Sequence, residues 1–338
     1  MSAQQRAILV QSTNAPFVLG TSEVPSPAEG EVLIKTMAIA LNPADWIQRD
    51  YVFPAERYPL ILGNDVAGIV ESVGQGVEGF EKGDRVFGRT GKGGFQQYTT
   101  LSTTGFLAPI PENISFDEAV TIPLTFTTAC LGLFAEAPMG LSLNPTFSLN
   151  AKHEGQSALI IGASTTVGQF GVQLLKVLGF SKIAVYASKA HFEYLRQLGA
   201  TECTDRREVP LEALPAALSA RVNVVHHTVD PLALNTAYDC VVEGGGIATC
   251  QPNAPIDRDV ESKNVRIIGR IPDPALMAIF LQSEPTVARY VLEMLKRGLI
   301  KPPRYEVLEN GIEGIIGGLE KMEKGEVSGV KLVAHPHD

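Results

Sequence analysis

The sequence predicts an α/β protein of two domains, one β-rich and one built on a doubly wound parallel sheet. Three observations carry that expectation. The first 110 residues hold short strand patterns between turn residues, residues 157–271 alternate strand and helix, and GASTTVGQFG at 162–171 joins an apolar strand to a helix through small residues. With 338 residues, 45% of them apolar, the chain is long enough for about two cores.

In chain order, RAILV, EVLIKTMAIAL, VAGIVESVG and DRVFG read as strands, set apart by SPAEG, QGVEGFEKGD and RTGKGG. GGFQQYTTL reads as a further strand with Tyr98 at its centre. Ser115 opens a helix with a capping-type start, and Pro123 divides the apolar run that follows. APMGLSLNPTFSLNAKHEG has the length and composition of an insertion or surface excursion. SALIIG, TVGQFGVQLLKVLG, KIAVYAS, AHFEYLRQLGA, VNVVHHTV, YDCVVEGGGIATC and VRIIGR then supply the alternation of a parallel sheet covered on both faces. An amphipathic helix, EPTVARYVLEMLKRG, precedes strand-like PRYEVLE, helix-like GIIGGLEKMEKG and a closing VKLVAHP. The expected domains are 1–123 with 272–338, and 124–271. No fixed-period repeat points to a solenoid or propeller.

Composition excludes several roles. A net charge of −9 without clustered Lys and Arg argues against nucleic acid. No run of about 20 apolar residues can span a bilayer and MSAQQRAILV lacks a secretory apolar region, so the cytoplasm is expected. Cys130, Cys203, Cys240 and Cys250 form no C-x-x-C and are expected as buried or half-buried thiols.

A strand that ends in a small-residue turn and feeds a helix aims backbone N–H groups and the positive helix end at an anion. Aligned on Gly168 as the third glycine of G-x-G-x-x-G, the turn offers Gly162, Ala163, Ser164, Thr165, Thr166 and Val167, with hydroxyls where glycines usually stand. A diphosphate fits best; the competing reading is a plain strand-to-helix turn. About twenty residues on, where an acid would mark NAD(H), the strand ends in Ser188-Lys189. A hydroxyl and an ammonium suit a 2′-phosphate, so NADPH is favoured, against a merely solvated lysine. No Cys or His occurs in residues 1–129, so a zinc site there is not expected. His226 and His227, adjacent on a strand, point to opposite faces and cannot chelate together, one packing and one facing a cleft or water. No G-x-S-x-G occurs, and Gly83-x4-Gly88 is followed by Arg89 rather than by Lys, so neither hydrolase nor P-loop is indicated.

Through LNPADW (41–46), YPLILGNDVAGIVESVGQGVEGFEKGDRVFG (58–88), GGFQQYTTL, AVTIPLTFTTACLGLF (119–134), GASTTVGQFGVQLLK, LRQLGAT and SGVKLV, the chain resembles the medium-chain dehydrogenase/reductases. The likeness covers nearly the whole chain and is to the zinc-free quinone-oxidoreductase and enoyl-reductase branch, including fungal trans-acting enoyl reductases of secondary metabolism. It implies a GroES-like catalytic domain and a Rossmann domain. It places Asn42 and Asn64 where zinc-bearing relatives have Cys and His ligands. It implies that Asn42 and Thr128, with Thr127 as the alternative, lie near the nicotinamide, and that Tyr51 supplies a proton. Tyr51 as a cap on a hydrophobic loop is the other possibility.

The expected chemistry is hydride transfer from NADPH to the β-carbon of an α,β-unsaturated carbonyl, free or carried by a polyketide synthase. A quinone or free-enone reductase is the rival enzyme, and a non-catalytic NADPH-binding accessory protein the rival of another class. Resemblance implies a homodimer through the edge strand VRIIGR; a monomer is the alternative.

Overall fold

The computed structural model describes residues 3–51, 57–251, 254–268 and 274–338. Contacts divide them into two compact units, one of residues 1–124, 284–296 and 302–338, the other of 125–283 and 297–301.

The first unit opens with β1 (Gln4–Val10), β2 (Phe17–Glu23) and β3 (Glu31–Ala40), then α1 (Pro43–Arg49). Pro43 suits the first helical position because its missing N–H would have had no intrahelical partner there. Asp45, two residues on, accepts the Asn42 N–H and closes the helix start. Next come β4 (Leu60–Ile61), β5 (Asp65–Val73), β6 (Arg85–Arg89), β7 (Tyr98–Ser102), β8 (Leu107–Pro109) and α2 (Phe116–Val120). The strand expected over GGFQQYTTL is shorter, and Tyr98 begins it rather than standing at its centre. Gly93 has φ +86°, and a Cβ there would lie 2.3 Å from the Ile61 carbonyl oxygen, so the chain turns there, and Gln96 makes an isolated bridge to Ala7 before β7 begins. Ser115 caps α2 in a reciprocal box with Glu118, as the sequence implies.

Pro123 begins α3 (Pro123–Phe134), which the second unit takes up from residue 125. The long loop after it is no surface excursion: Met139 and Leu141 are buried, and Leu141 N–H donates to Gly132 O. Then follow β9 (Ser157–Ile161), α4 (Thr166–Val177), β10 (Lys182–Ala187), α5 (Phe192–Leu198), β11 (Glu202–Asp205), α6 (Leu214–Ala217), β12 (Val222–His227), α7 (Ala233–Cys240), β13 (Val241–Thr249) and β14 (Arg266–Ile268). The strands form one parallel sheet in the order β11-β10-β9-β12-β13-β14. Counted along the chain that is 3-2-1-4-5-6, and the order reverses between β9 and β12, where dinucleotides cross such sheets. Leu159, Ile161, Val225 and Ile247 contribute to the core of this sheet. Of the expected edge strand 265–270, Gly269 and Arg270 lie outside the described residues.

Helix α8 (Pro274–Lys296) starts ten residues before the expected Glu284. Pro285, the second residue of the expected segment, stands inside the helix. Residues 274–283 count with the second unit and 284–296 with the first, so the expected return to the first domain at 272 falls at 284. The chain closes with β15 (Tyr305–Val307), α9 (Gly314–Glu323) and β16 (Lys331–Ala334). They complete a sheet of order β15-β16-β3-β5-β6-β8 with β7 on β3, beside a smaller sheet β2-β1-β4. Ile34, Val66, Phe95 and Leu332 are among the residues of its core.

Candidate active site

In the first unit the end of β3, the start of α1, the start of β5 and β16 bring five polar side chains into the interior. Asn42, Asp45, Asn64, Asp65 and Lys331 are all buried. Asp45 accepts from the Asn42 N–H at 2.7 Å and from Asn64 Nδ2 at 2.6 Å. Asn42 Nδ2 donates to Asp65 Oδ2 at 2.9 Å, and Lys331 Nζ donates to Asn42 Oδ1 and lies 3.5 Å from Asp65 Oδ2. Asp65 Oδ1 takes the Leu124 N–H.

Two acids share one ammonium at close range, with the Arg89 guanidinium, itself paired with Glu284, acting on Asp65 as well. Burial pushes the Asp45 carboxyl up to about 7, against the hydrogen bonds from Asn64 and the Asn42 N–H that favour its ionised form. Asp65 is likewise raised by burial, and burial lowers Lys331 against the pull of both acids.

This donor set does not fit zinc. Neutral amides stand at Asn42 and Asn64, both amide ends are engaged, and an ammonium occupies their midst. The same bonds revise what sequence implied for Asn42. It is 1% exposed and holds Asp65 and Lys331 together rather than offering its amide to a ligand.

Asn64 is the member of the cluster that reaches open space. It lines a cavity of about 310 Å³ with Tyr51, Gln48, Arg57, Arg89 and Thr90. Tyr51 is 48% exposed there. Arg89, which sequence reasoning weighed only as the residue that spoils a P-loop, donates to Asn64 Oδ1 and pairs with the buried Glu284. Its position could be found only from the strand pairing Asp65↔Arg89, which sets it beside the β5 start.

In the second unit, β9 ends in the turn at Gly162 and α4 begins at Thr166. Gly162 has φ +85°, and a Cβ on Gly168 would lie 2.5 Å from Gly162 O and 2.7 Å from Ala163 Cα. The third glycine of the fingerprint thus keeps its packing role. Thr165 needs a correction: its hydroxyl donates to Gly162 O, accepts the Gly168 N–H and meets Thr228 Oγ1 at 3.0 Å. It caps the helix rather than waiting for phosphate. The amides of Thr166 and Val167 start the helix with no carbonyl a turn behind them, and with Ser164 they would hold a diphosphate.

At the end of β10, Ser188 Oγ accepts from Arg206 Nε at 2.7 Å, and the Arg206 N–H bonds Ala187 O. Lys189 is an exposed neighbour 3.8 Å from Glu208. Arg206 was missed because it follows a different strand, β11, and only the parallel pairing Ala187↔Asp205 brings it to Ser188.

Both histidines of β12 are fully buried, so neither faces water. His227 is held by Thr249 Oγ1 and Asp230 O. His226, pushed down to about 3 by burial, packs where a Cβ on Gly171 would lie 2.4 Å from its Nδ1. It lines a cavity of about 90 Å³ with Thr128, Met139 and Cys250. Thr127 is fully buried, so of the two candidate threonines Thr128 is the one that opens on space.

A hydroxyl-capped strand-to-helix turn at the switch point of a 3-2-1-4-5-6 sheet defines a nicotinamide-dependent oxidoreductase. Residues 28–112 match the alcohol dehydrogenase GroES-like domain and residues 166–271 the zinc-binding dehydrogenase domain. Trans-enoyl reductase tndF of Aspergillus flavipes is 30% identical over 98% of this chain and 99% of its own. Trans-enoyl reductase tazE of Aspergillus terreus is 35% identical over 72% and 79%. Among solved structures, a putative zinc-dependent alcohol dehydrogenase from Rhizobium etli superposes with TM-score 0.83 at 21% identity, covering 99% of both chains. CurK enoyl reductase does so with 0.78 at 22%, covering 98% of this chain and 99% of its own. The chain belongs to the medium-chain dehydrogenase/reductase family, in the branch of the fungal trans-enoyl reductases.

Among the described residues no helix is long and apolar enough to cross a membrane.

Proposed function

We propose that this protein is an NADPH-dependent enoyl reductase of secondary metabolism that serves a polyketide synthase in trans. The observation that carries the reading is the polar cluster of the first unit. At the positions where the resemblance sets zinc ligands it holds two engaged amides, with an ammonium bonded to one of them, and Asn64, Arg89 and Tyr51 open on a cavity beside it. Reduction of a bare carbonyl is helped by a Lewis acid, whereas reduction of a conjugated alkene needs donors for an enolate oxygen and a proton for the α-carbon.

A bound dihydronicotinamide would supply the hydride. Ser164, Thr166 and Val167 would hold its diphosphate, and Ser188, Lys189 and Arg206 its 2′-phosphate. Thr128 would lie beside the ring. Tyr51 is the proton donor in this reading, since its phenol lines the cavity with Asn64.

The test is a panel of an enoyl thioester of N-acetylcysteamine, a free enone and a quinone, with NADPH or NADH, followed at the nicotinamide absorbance. Thioester reduction with NADPH preferred is the expected result. Turnover of quinone with no thioester reduced would sink the substrate assignment, NADH binding as tightly as NADPH the cofactor assignment, and cofactor binding with no turnover both enzyme readings.

A further inference from the structure

Helix α4 buries two glutamines one turn apart, Gln169 at 0% and Gln173 at 4% exposure. An apolar side chain would fill either place without the cost of burying an amide, so what each amide bonds is informative. Gln173 anchors a neighbouring segment: its Oε1 accepts the Lys301 N–H at 2.7 Å and its Nε2 donates to Lys301 O at 3.1 Å.

Gln169 bonds the strand-to-helix turn instead. Its Nε2 donates to Ser164 O at 2.8 Å, and its Oε1 accepts the Tyr194 hydroxyl of α5 at 3.2 Å. A carbonyl can only accept, so Ser164 O decides which end of the amide faces it, and the Tyr194 O–H meets the other end. The peptide between Ser164 and Thr165 is thereby pinned at both edges, because the Thr165 N–H donates to Gly162 O at 3.0 Å. Gly162 O is engaged as well by the hydroxyls of Thr165 and Thr228. A carbonyl oxygen turned toward a diphosphate would set one negative end against another. With the carbonyls of Gly162 and Ser164 bonded within the protein, the turn keeps the Thr166 and Val167 amides and the positive helix end for the anion.

We infer that Gln169 is a positioning residue for cofactor binding, which holds the Ser164 carbonyl away from the diphosphate while Tyr194 fixes its amide. The inference rests on the dinucleotide reading of the turn and names what keeps the turn in its binding form. Tyr194 stands on the helix that follows Ser188 and Lys189, so one chain of bonds joins the segment assigned to the 2′-phosphate with the turn assigned to the diphosphate.

The experiment is calorimetric titration of the full chain with NADP⁺ and with 2′-AMP, which has the adenosine and its 2′-phosphate but no diphosphate. Gln169→Met keeps the length of the side chain and removes its donor; it should weaken NADP⁺ roughly tenfold or more and 2′-AMP less than twofold. Tyr194→Phe should weaken NADP⁺ about threefold with the same selectivity. Gln173→Met, which removes the other buried amide of α4, should lower the thermal midpoint and leave the ratio of the two affinities unchanged. Equal losses on both ligands in Gln169→Met, an NADP⁺ loss below twofold, or the same selective loss in Gln173→Met would each overturn the inference. If Gln169→Met does not fold, Tyr194→Phe decides, and an unaltered NADP⁺ affinity there overturns it. Should the unaltered chain bind NAD⁺ as tightly as NADP⁺, the 2′-phosphate assignment fails and the same comparison is made with NAD⁺ against adenosine. If it binds neither dinucleotide, the nicotinamide reading fails and takes the inference with it.

Discussion

Replacing Lys331 by Met should expose how the buried cluster is balanced. The ammonium bonds Asn42, lies 3.5 Å from Asp65 and is only 4% exposed. At pH 8 the variant must keep two carboxylates in the interior with no ammonium bonded among them, and breaking a buried pair in this way costs roughly 3–5 kcal/mol. At pH 5 the cost should shrink to about 1 kcal/mol, the loss of one hydrogen bond, because protonated acids need no counter-charge. The sign follows from the raised folded-state values. Asp45 at about 7, and Asp65 raised with it, contribute stability that is complete below the unfolded carboxylate range and is lost as pH climbs through the folded values. Without Lys331 those values climb further, so the deficit widens with pH. The single tryptophan, Trp46, stands on α1 against the first unit's core, so urea unfolding followed by its fluorescence at pH 5 and pH 8 reads the right unit. A deficit equal at both pH values, or below about 1 kcal/mol at pH 8, would refute the charge argument.

Thr165→Ala should cost about 1 kcal/mol by removing the cap of α4, read as a lower thermal midpoint of the free protein. Gly168→Ala forces a Cβ to within 2.5 Å of a backbone oxygen that cannot move aside, so the NADPH dissociation constant should rise more than tenfold. Arg206→Ala should weaken NADPH at least tenfold and NADH less than twofold; equal losses would mean that the Ser188–Arg206 pair does not meet a 2′-phosphate. Tyr51→Phe should lower kcat on an enoyl thioester tenfold or more with KM little changed, and an unaltered kcat would leave Tyr51 as a loop cap.

The second unit was more legible in the sequence than the first because its pattern is local. Each strand of its parallel sheet is a buried apolar run bounded by turn signals, and Thr165 and Gly168 sit at fixed offsets from the end of β9. The polar cluster of the first unit has no such local signature. Lys331 reads as one more charge in a terminal strand until β16 pairs with β3 and sets it against Asn42. Arg206, Arg89 and Arg57 were hidden for the same reason, since their meaning lies in which segment they neighbour in space. Glu284 was hidden likewise, since its partner Arg89 stands 195 residues earlier in the chain. For Asn42 the resemblance supplies a position in the chain, but a side chain's hydrogen-bond partners are not written in its position, and its bonds to Asp65 and Lys331 come from the fold.

The ribosome makes Asn42 289 residues before it makes Lys331. Until the last strand emerges, the nascent N-terminal half carries Asp45 and Asp65 with no cation to bury beside them. It can collapse around its apolar residues, but it gains nothing from closing over two bare acids. The buried cluster of the first unit therefore closes only once β16 is present, and every residue of the second unit precedes that strand in the chain. A chain cut short before β16 should remain open at this point and fall to proteases, however complete its nucleotide-binding half may be.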